Sequence, residues 1–293
     1  MSKSKNKLYG IFFMILASSS FATMNLFAKL TTGVNPYQKT FISNLVATII
    51  VSIILIKRKE SFIGKKENRI FLLTRGIMGT IALLTNYISL QYLILPNATI
   101  LSKLAPFFTI IFSFILLREK ISKFQIGVLI AAFAGSLFVV KPTLNASVIP
   151  SLIAVLSAAV SGVAYTMIRK IGDSESFWTV ILSFTGIATI VTSFSIFFDN
   201  SNLFGINLLF LILAGVSFTL GQVFLTLAYR NAPASEISVY DFFGLVLAAV
   251  YGFIFLKEMP DATSWIGYFI IVVVSMVNIS YSKRLAQKQT VKN

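Results

Sequence analysis

Neither cysteine nor histidine occurs in this chain of 293 residues. Without cysteine there can be no disulfide framework and no thiolate metal site. Without histidine the chain lacks the usual proton shuttle near neutral pH and the commonest metal ligand. Any titrating role therefore falls to Asp, Glu, Lys or Tyr. No paired-carboxylate or nucleophile–base motif stands out, which argues against a membrane-embedded enzyme. No phosphate-cradling glycine loop is present either, so ATP is not the expected drive. No metal or cofactor is expected.

Charge is also scarce. Only 12% of residues are Asp, Glu, Lys or Arg, against about 25% in an ordinary soluble domain. In their place 56% of residues are hydrophobic, and the mean hydropathy is +0.85. A compact soluble domain has no way to hide that much apolar surface. The chain reads as an all-α, multi-pass integral membrane protein of the cell membrane, with the lipid bilayer as its main partner. Long soluble segments are missing, since the widest polar gap runs from 57 to 69. The first apolar run, 8–28, is longer than a signal-peptide core, so no cleavable signal is expected. The 28 phenylalanines read as lipid-facing or packing residues.

A bilayer core about 30 Å thick takes roughly 20 residues of helix. Apolar windows of that size fall at 8–28, 37–56, 70–92, 97–117, 124–141, 148–168, 177–197, 207–229, 235–256 and 264–281. That predicts ten spans joined by short links. The net charge of +15 might point to nucleic acid. Basic residues in the loops of a multi-pass protein instead mark its cytoplasmic side. Alternate loops and both tails carry most of the 25 basic residues, whereas the opposite loops carry only Lys29, Lys39, Lys141 and Lys257. Both termini are therefore placed in the cytoplasm, and no nucleic-acid partner is expected.

Two stretches echo each other: "LPNATILSKLAPFFTIIFSFILLREK" at 95–120 and "APASEISVYDFFGLVLAAVYGFIFLKEMP" at 232–260. Each has a proline at the loop, small polar residues opening a helix, a bulky apolar run and a terminal glutamate, Glu119 or Glu258. Each is followed by a helix containing glycine. A five-span unit repeated once must place its second copy upside down, because five is odd. Inverted repeats of this kind mark secondary transporters, whose substrate sits near the midplane.

The motifs "FATMNLFAKL", "RGIMGTIALLTNYISLQYLILPNATILSKLAPFFTIIFSFILLREK" and "GQVFLTLAYRNAPASEISVYDFFGLVLAAVYGFIFLKEMPD" occur in this order and spacing. With them the chain resembles the drug/metabolite transporter superfamily, and within it the ten-span EamA-type transporters. The resemblance covers nearly the whole chain. It implies two inverted five-helix repeats, 1–145 and 146–293, a central cavity and alternating access for a small organic molecule. Similar members commonly carry an Arg early in the second span, where this chain has Ser43 in "TFISNLV". The family itself handles amino acids, nucleotide derivatives, vitamins, amines and drugs, so the resemblance leaves the substrate open.

A charge in the middle of a span costs about 2.5–3.5 kcal/mol on insertion scales. Four such charges invite a reason. Arg75, near a span end, is expected to snorkel to the interface, and Lys29 to do the same at the end of the first span. Lys103 and Asp241 differ from these. Lys103 lies seven residues after Pro96 and Asp241 eight after Pro233, so they are near-equivalents in the two repeats. At 1.5 Å per residue each lies roughly 8–10 Å into its span. Inversion puts Lys103 in the outer half and Asp241 in the inner half, which leaves open whether they touch. Both are candidate substrate residues, and Asp241 is also the candidate for proton coupling. The competing reading is a fixed charge pair bracing two helices.

Asn25, Asn86, Tyr87, Gln222 and Tyr240 complete the substrate-site candidates, while Asn44 and Gln91 read as further polar residues within spans. Glu236 reads as a helix cap, and Glu119 and Glu258 as structural. Pro106 is expected to bend the fourth span and free a carbonyl near Lys103. Gly127, Gly135, Gly215 and Gly221 are expected to allow close packing. Taken together, these features describe a secondary transporter of an amino-acid-like, amphoteric or vitamin-like metabolite, with protons as a candidate coupling ion, working as a monomer or homodimer. The alternative is a lipid-handling flippase or a membrane scaffold of the same fold.

Overall fold

A computed structural model describes residues 3–118, 123–140, 148–198, 202–231 and 238–290. Glu119, Lys141, Pro233 and Glu236 lie outside the described residues. Those described form helices and turns, with no strand among them.

The helices are α1 (Lys3–Leu30), α2 (Pro36–Arg58), α3 (Arg69–Tyr92), α4 (Leu95–Ser102), α5 (Ala105–Leu117), α6 (Lys123–Val140), α7 (Ile149–Ile171), α8 (Phe177–Thr192), α9 (Ile206–Asn231), α10 (Phe243–Tyr251) and α11 (Ala262–Thr290). Among the described residues eight stretches are long and apolar enough to cross a membrane, one of them being α4 and α5 together. Tyr240–Leu256 and Ala262–Asn278 are shorter apolar helices, and they fall on the ninth and tenth hydropathy windows.

Helix ends follow local chemistry. Asn35 caps α2 by accepting from the Tyr37 N–H at 2.9 Å, and Gln38 reaches back to the Asn35 N–H at 3.2 Å. Together they form a capping box, with Pro36 in the first turn, where its missing N–H costs nothing. Lys59, Arg118 and Lys257 close their helices in the left-handed region, with φ of 54°, 56° and 54°. Cations suit these positions because helix C-termini carry partial negative charge.

The outside of the bundle is apolar. Ile190, Phe197 and Phe269 are each more than 70% exposed. In lipid such a surface needs no cover. The interior is mixed, because Thr40, Ser43, Asn44, Ser89 and Thr185 are fully enclosed alongside Leu, Ala and Phe. Many interior hydroxyls donate to the carbonyl four residues back, as at Thr80, Thr99 and Thr219. A hydroxyl satisfied within its own helix can be carried into the apolar interior.

α1 lies along α9, and α3 along α7. α2 packs on α8 and α9, and α8 on α3. α4 and α5 pack on α7, α10 packs on α1 and α4, and α6 pairs with α11. Close backbone approaches hold these pairs. A Cβ on Gly76 of α3 would meet the Ser183 carbonyl of α8 at 2.4 Å, and one on Gly215 of α9 would meet the Ser43 carbonyl of α2 at 2.6 Å. Gly135 and Gly221 also sit against side chains, Ile270 and Phe21. Gly127 differs from the expectation: nothing lies within 4 Å of its Cβ position, so it has no packing role.

Between α2 and α3, and between α7 and α8, two loops are tied together. The Glu175 carboxylate accepts from the Lys65 N–H at 2.7 Å and from Asn68 Nδ2 at 2.8 Å, and the Ser176 hydroxyl donates to Glu60.

Candidate functional site

The fourth span is not one helix. It breaks at Lys103 and Leu104, between α4 and α5. Pro106 follows in the first turn of α5 and has no N–H to give the carbonyl one turn earlier. Among the described residues the ninth span begins with a 3-10 turn, Ser238–Phe242, before α10, and ends in a π turn, Gly252–Leu256. Asp241 sits in that opening turn. Both charges thus occupy interruptions, where the backbone has polar groups to share.

The two interruptions face each other. Lys103 Nζ lies 2.6 Å from Asp241 Oδ2 and donates to the Asp241 carbonyl at 3.2 Å. The sequence had placed the two at different depths. They meet because both spans depart from helix there and the lysine side chain reaches the Asp241 turn. Their side chains remain 16% and 33% exposed, so the pair is not sealed in the core. Tyr240 shares the turn and is 36% exposed.

The uncharged candidates lie elsewhere on the inner faces. Asn86 Nδ2 of α3 donates to Asn25 Oδ1 of α1 at 3.1 Å. Tyr87 is 1% exposed, with its hydroxyl 3.4 Å from Ser43 Oγ. Where the family Arg would stand, Ser43 therefore meets a tyrosine hydroxyl. Gln222 lies half-buried on α9. The spans are cross-linked further. The Tyr268 hydroxyl of α11 donates to Asn97 Oδ1 of α4 at 2.5 Å, and Tyr251 of α10 lies 3.2 Å from Thr23 of α1.

Two snorkelling expectations are overturned. Lys29 turns inward and pairs with Glu258 Oε1 at 2.7 Å, and it also donates to the Leu93 carbonyl. The second Glu258 oxygen accepts from the Leu95 N–H, the first residue of α4, at 2.7 Å. A carboxylate at a helix N-terminus meets its partial positive charge, so Glu258 ties the ends of the first and ninth spans to the start of the fourth. Lys39, counted among loop residues by position, is buried and donates to the Ala28 and Thr31 carbonyls at 2.8 and 2.9 Å, closing the end of α1. Arg75 is only 4% exposed, so it does not reach the interface. Instead its guanidinium lies over the Phe184 ring at 4.6 Å. The partners Glu258 and Phe184 come from helices far away in sequence, and hydropathy carries no signal for them.

Among the described residues no group of three or more Asp or Glu could hold a metal ion. The chemistry on offer is charge pairing and hydrogen bonding at breaks in helices.

The EamA-like transporter family matches the chain twice, over residues 8–141 and 148–280. The pseudopaline exporter CntI of Pseudomonas aeruginosa (strain UCBPP-PA14) is 30% identical over 280 residues, covering 94% of this chain and 97% of its own. Solute carrier family 35 member G1 of Homo sapiens is 28% identical over 291 residues, covering 94% of this chain and 79% of its own. A crystal structure of another protein, 18% identical, has a TM-score of 0.66 and covers 97% of this chain and 99% of that one. At that identity the likeness is one of fold.

Proposed function

Because the chain belongs to the EamA-like transporter family, we propose that it is a secondary transporter that carries a small dipolar metabolite across the cell membrane by alternating access. The observation that carries this reading is the Lys103–Asp241 pair, 2.6 Å long and part-exposed, at facing helix interruptions. Interrupted helices are where transporters of inverted-repeat design present backbone and charge to a substrate.

We take the ten spans as two inverted halves, 1–145 and 146–293. The packing supports this. If each span of one half is exchanged for its counterpart in the other, α1 on α9 becomes α7 on α3, and α3 on α8 becomes α9 on α2. The Gly76–Ser183 contact likewise becomes Gly215–Ser43. The family matching once per half is consistent with the same division.

Removing one partner of a fully buried ion pair costs about 3–5 kcal/mol, because the other is left alone in low dielectric. A ligand that displaces Lys103 from Asp241 must therefore supply both signs. An amphoteric molecule does so: its anionic group meets Lys103 and its cationic group meets Asp241. Asp241 is the site at which a proton would replace the cationic group on the return step. Lys29, Glu258 and the start of α4 would close the path at one end. The Pseudomonas relative is named as an exporter, which favours outward movement here.

The test is flux of a labelled panel of amino-acid-like metabolites through proteoliposomes. Saturable flux is expected, falling at least tenfold in Lys103→Ala and in Asp241→Asn. A panel with no saturable flux, or flux of labelled lipid instead, sinks the proposal.

A further inference from the structure

Arg75 takes no part in any of these ion pairs. It lies in α3 at 4% exposure, and its Nε is fully buried with no hydrogen-bond partner. Among the described residues no carboxylate pairs with it. Its neighbours are the Phe184 ring, 4.6 Å away, and Gly79, where a Cβ would meet Nη1 at 2.3 Å. Any side chain at position 79 would displace the guanidinium. An ionised group in this setting is costly unless something pairs with it. Lysine can escape by shedding its proton, but arginine cannot.

Arg75 stands in only one of the two halves. Gly76 and Gly215 make matching contacts, with Ser183 and Ser43 respectively. The residue before each is Arg75 in α3 but a fully buried Ala214 in α9. The asymmetry fits a ligand, which has two different ends, better than a fold with two similar halves. A second group points the same way. Tyr165 of α7 is 42% exposed and lies within electrostatic range of both Arg75 and Asp241.

We infer that Arg75 is the docking point for an oxyanion, a carboxylate or phosphate, on the transported solute, with the cationic end of the solute directed at Asp241. This rests on the transport reading above and amends it in one respect: the anionic end of the solute goes to Arg75 and not to Lys103. Lys103 is already neutralised by Asp241, whereas Arg75 has its full charge to offer. A planar guanidinium held over an aromatic ring keeps its donor edge free for a bidentate partner.

The test uses the full chain, purified in neutral, lipid-free detergent, with thermal melting as the readout. Acetate, citrate and inorganic phosphate serve as probes, compared with chloride at matched ionic strength. A bound anion stabilises the folded state by mass action. In the wild type at least one probe is expected to raise Tm by about 2–4 °C, the shift that ~1 kcal/mol of binding gives in a chain of this size. Arg75→Met is expected to lose that shift and yet to melt in chloride at or above the wild-type temperature, because an unpaired charge has gone. Arg75→Lys is expected to fold and keep only part of the shift.

No anion-specific shift in the wild type overturns the inference. So does an Arg75→Met protein that melts lower in chloride and keeps the shift, since the arginine is then a brace. If only added phosphatidylglycerol raises Tm, the guanidinium binds lipid headgroups and the inference also fails. Lys103→Ala and Asp241→Asn, run alongside, separate the two readings. If they transport normally while Arg75→Met loses the shift, the central pair fails and the oxyanion site stands.

Discussion

Lys103 and Asp241 offer two explanations of one contact, and a charge swap separates them. Each single truncation, Lys103→Ala or Asp241→Ala, leaves a charge facing a part-buried space. The loss should approach but not reach the roughly 3–5 kcal/mol seen for sealed pairs, since a third of the Asp241 side chain is exposed and solvent screens it. The double variant Lys103→Asp with Asp241→Lys should regain most of the lost Tm and little of the flux, because the substrate would meet its poles reversed. If it regains both, the pair is a brace. Glu258 makes a second prediction of this kind. Glu258→Gln keeps an acceptor for the Leu95 N–H and gives up the Lys29 ion pair. The path beside α4 should loosen. The chain has no cysteine of its own, so a single Leu93→Cys reports it, with faster maleimide labelling in the Glu258→Gln background. Equal labelling rates would remove Glu258 as a closing element.

Among the helices the sharpest contrast is between glycines. Gly76 and Gly215 let one helix backbone touch another, with carbonyls where a Cβ would sit. In lipid there is no hydrophobic drive between helices, so such contacts set which helices associate. Gly76→Val or Gly215→Val should cost about 1–3 kcal/mol by overpacking and be seen as a drop in Tm. Gly127→Ala should be neutral or stabilising, by up to about 1 kcal/mol, because its site is open. Sequence pattern treats all three glycines alike. The broken helices show a similar limit. Their place is marked by proline and charge, but the extent of α4 and α5 and the turns around α10 depend on the helices packed against them.

For the molecule as a whole, topology is the open arrangement that basic residues foretell and packing leaves unstated. The same cysteine-free background allows a direct check. Ser61→Cys, in the polar gap between α2 and α3, should react only from the cytoplasmic side of intact cells, and Thr32→Cys, between α1 and α2, only from outside. Reversed reactivity would invert the proposed orientation. The exchange of packing partners between halves makes a related demand. Flux should need both halves, since α1 pairs with α9 and α3 with α7.

Hydropathy alone located the apolar helices, because membrane insertion depends on the summed apolarity of about 20 consecutive residues, a local quantity. Family membership was legible for the same reason: its motifs are short runs in fixed order. The prominence of Lys103 and Asp241 also followed from spacing. That the two touch did not. They stand 138 residues apart, and their meeting depends on two helix breaks falling at one level. Arg75 and Lys29 were read as snorkelling because distance to a span end is visible in a linear chain. Burial under Phe184 and pairing with Glu258 depend on which face each helix turns inward, and that is settled only when neighbouring helices close around it.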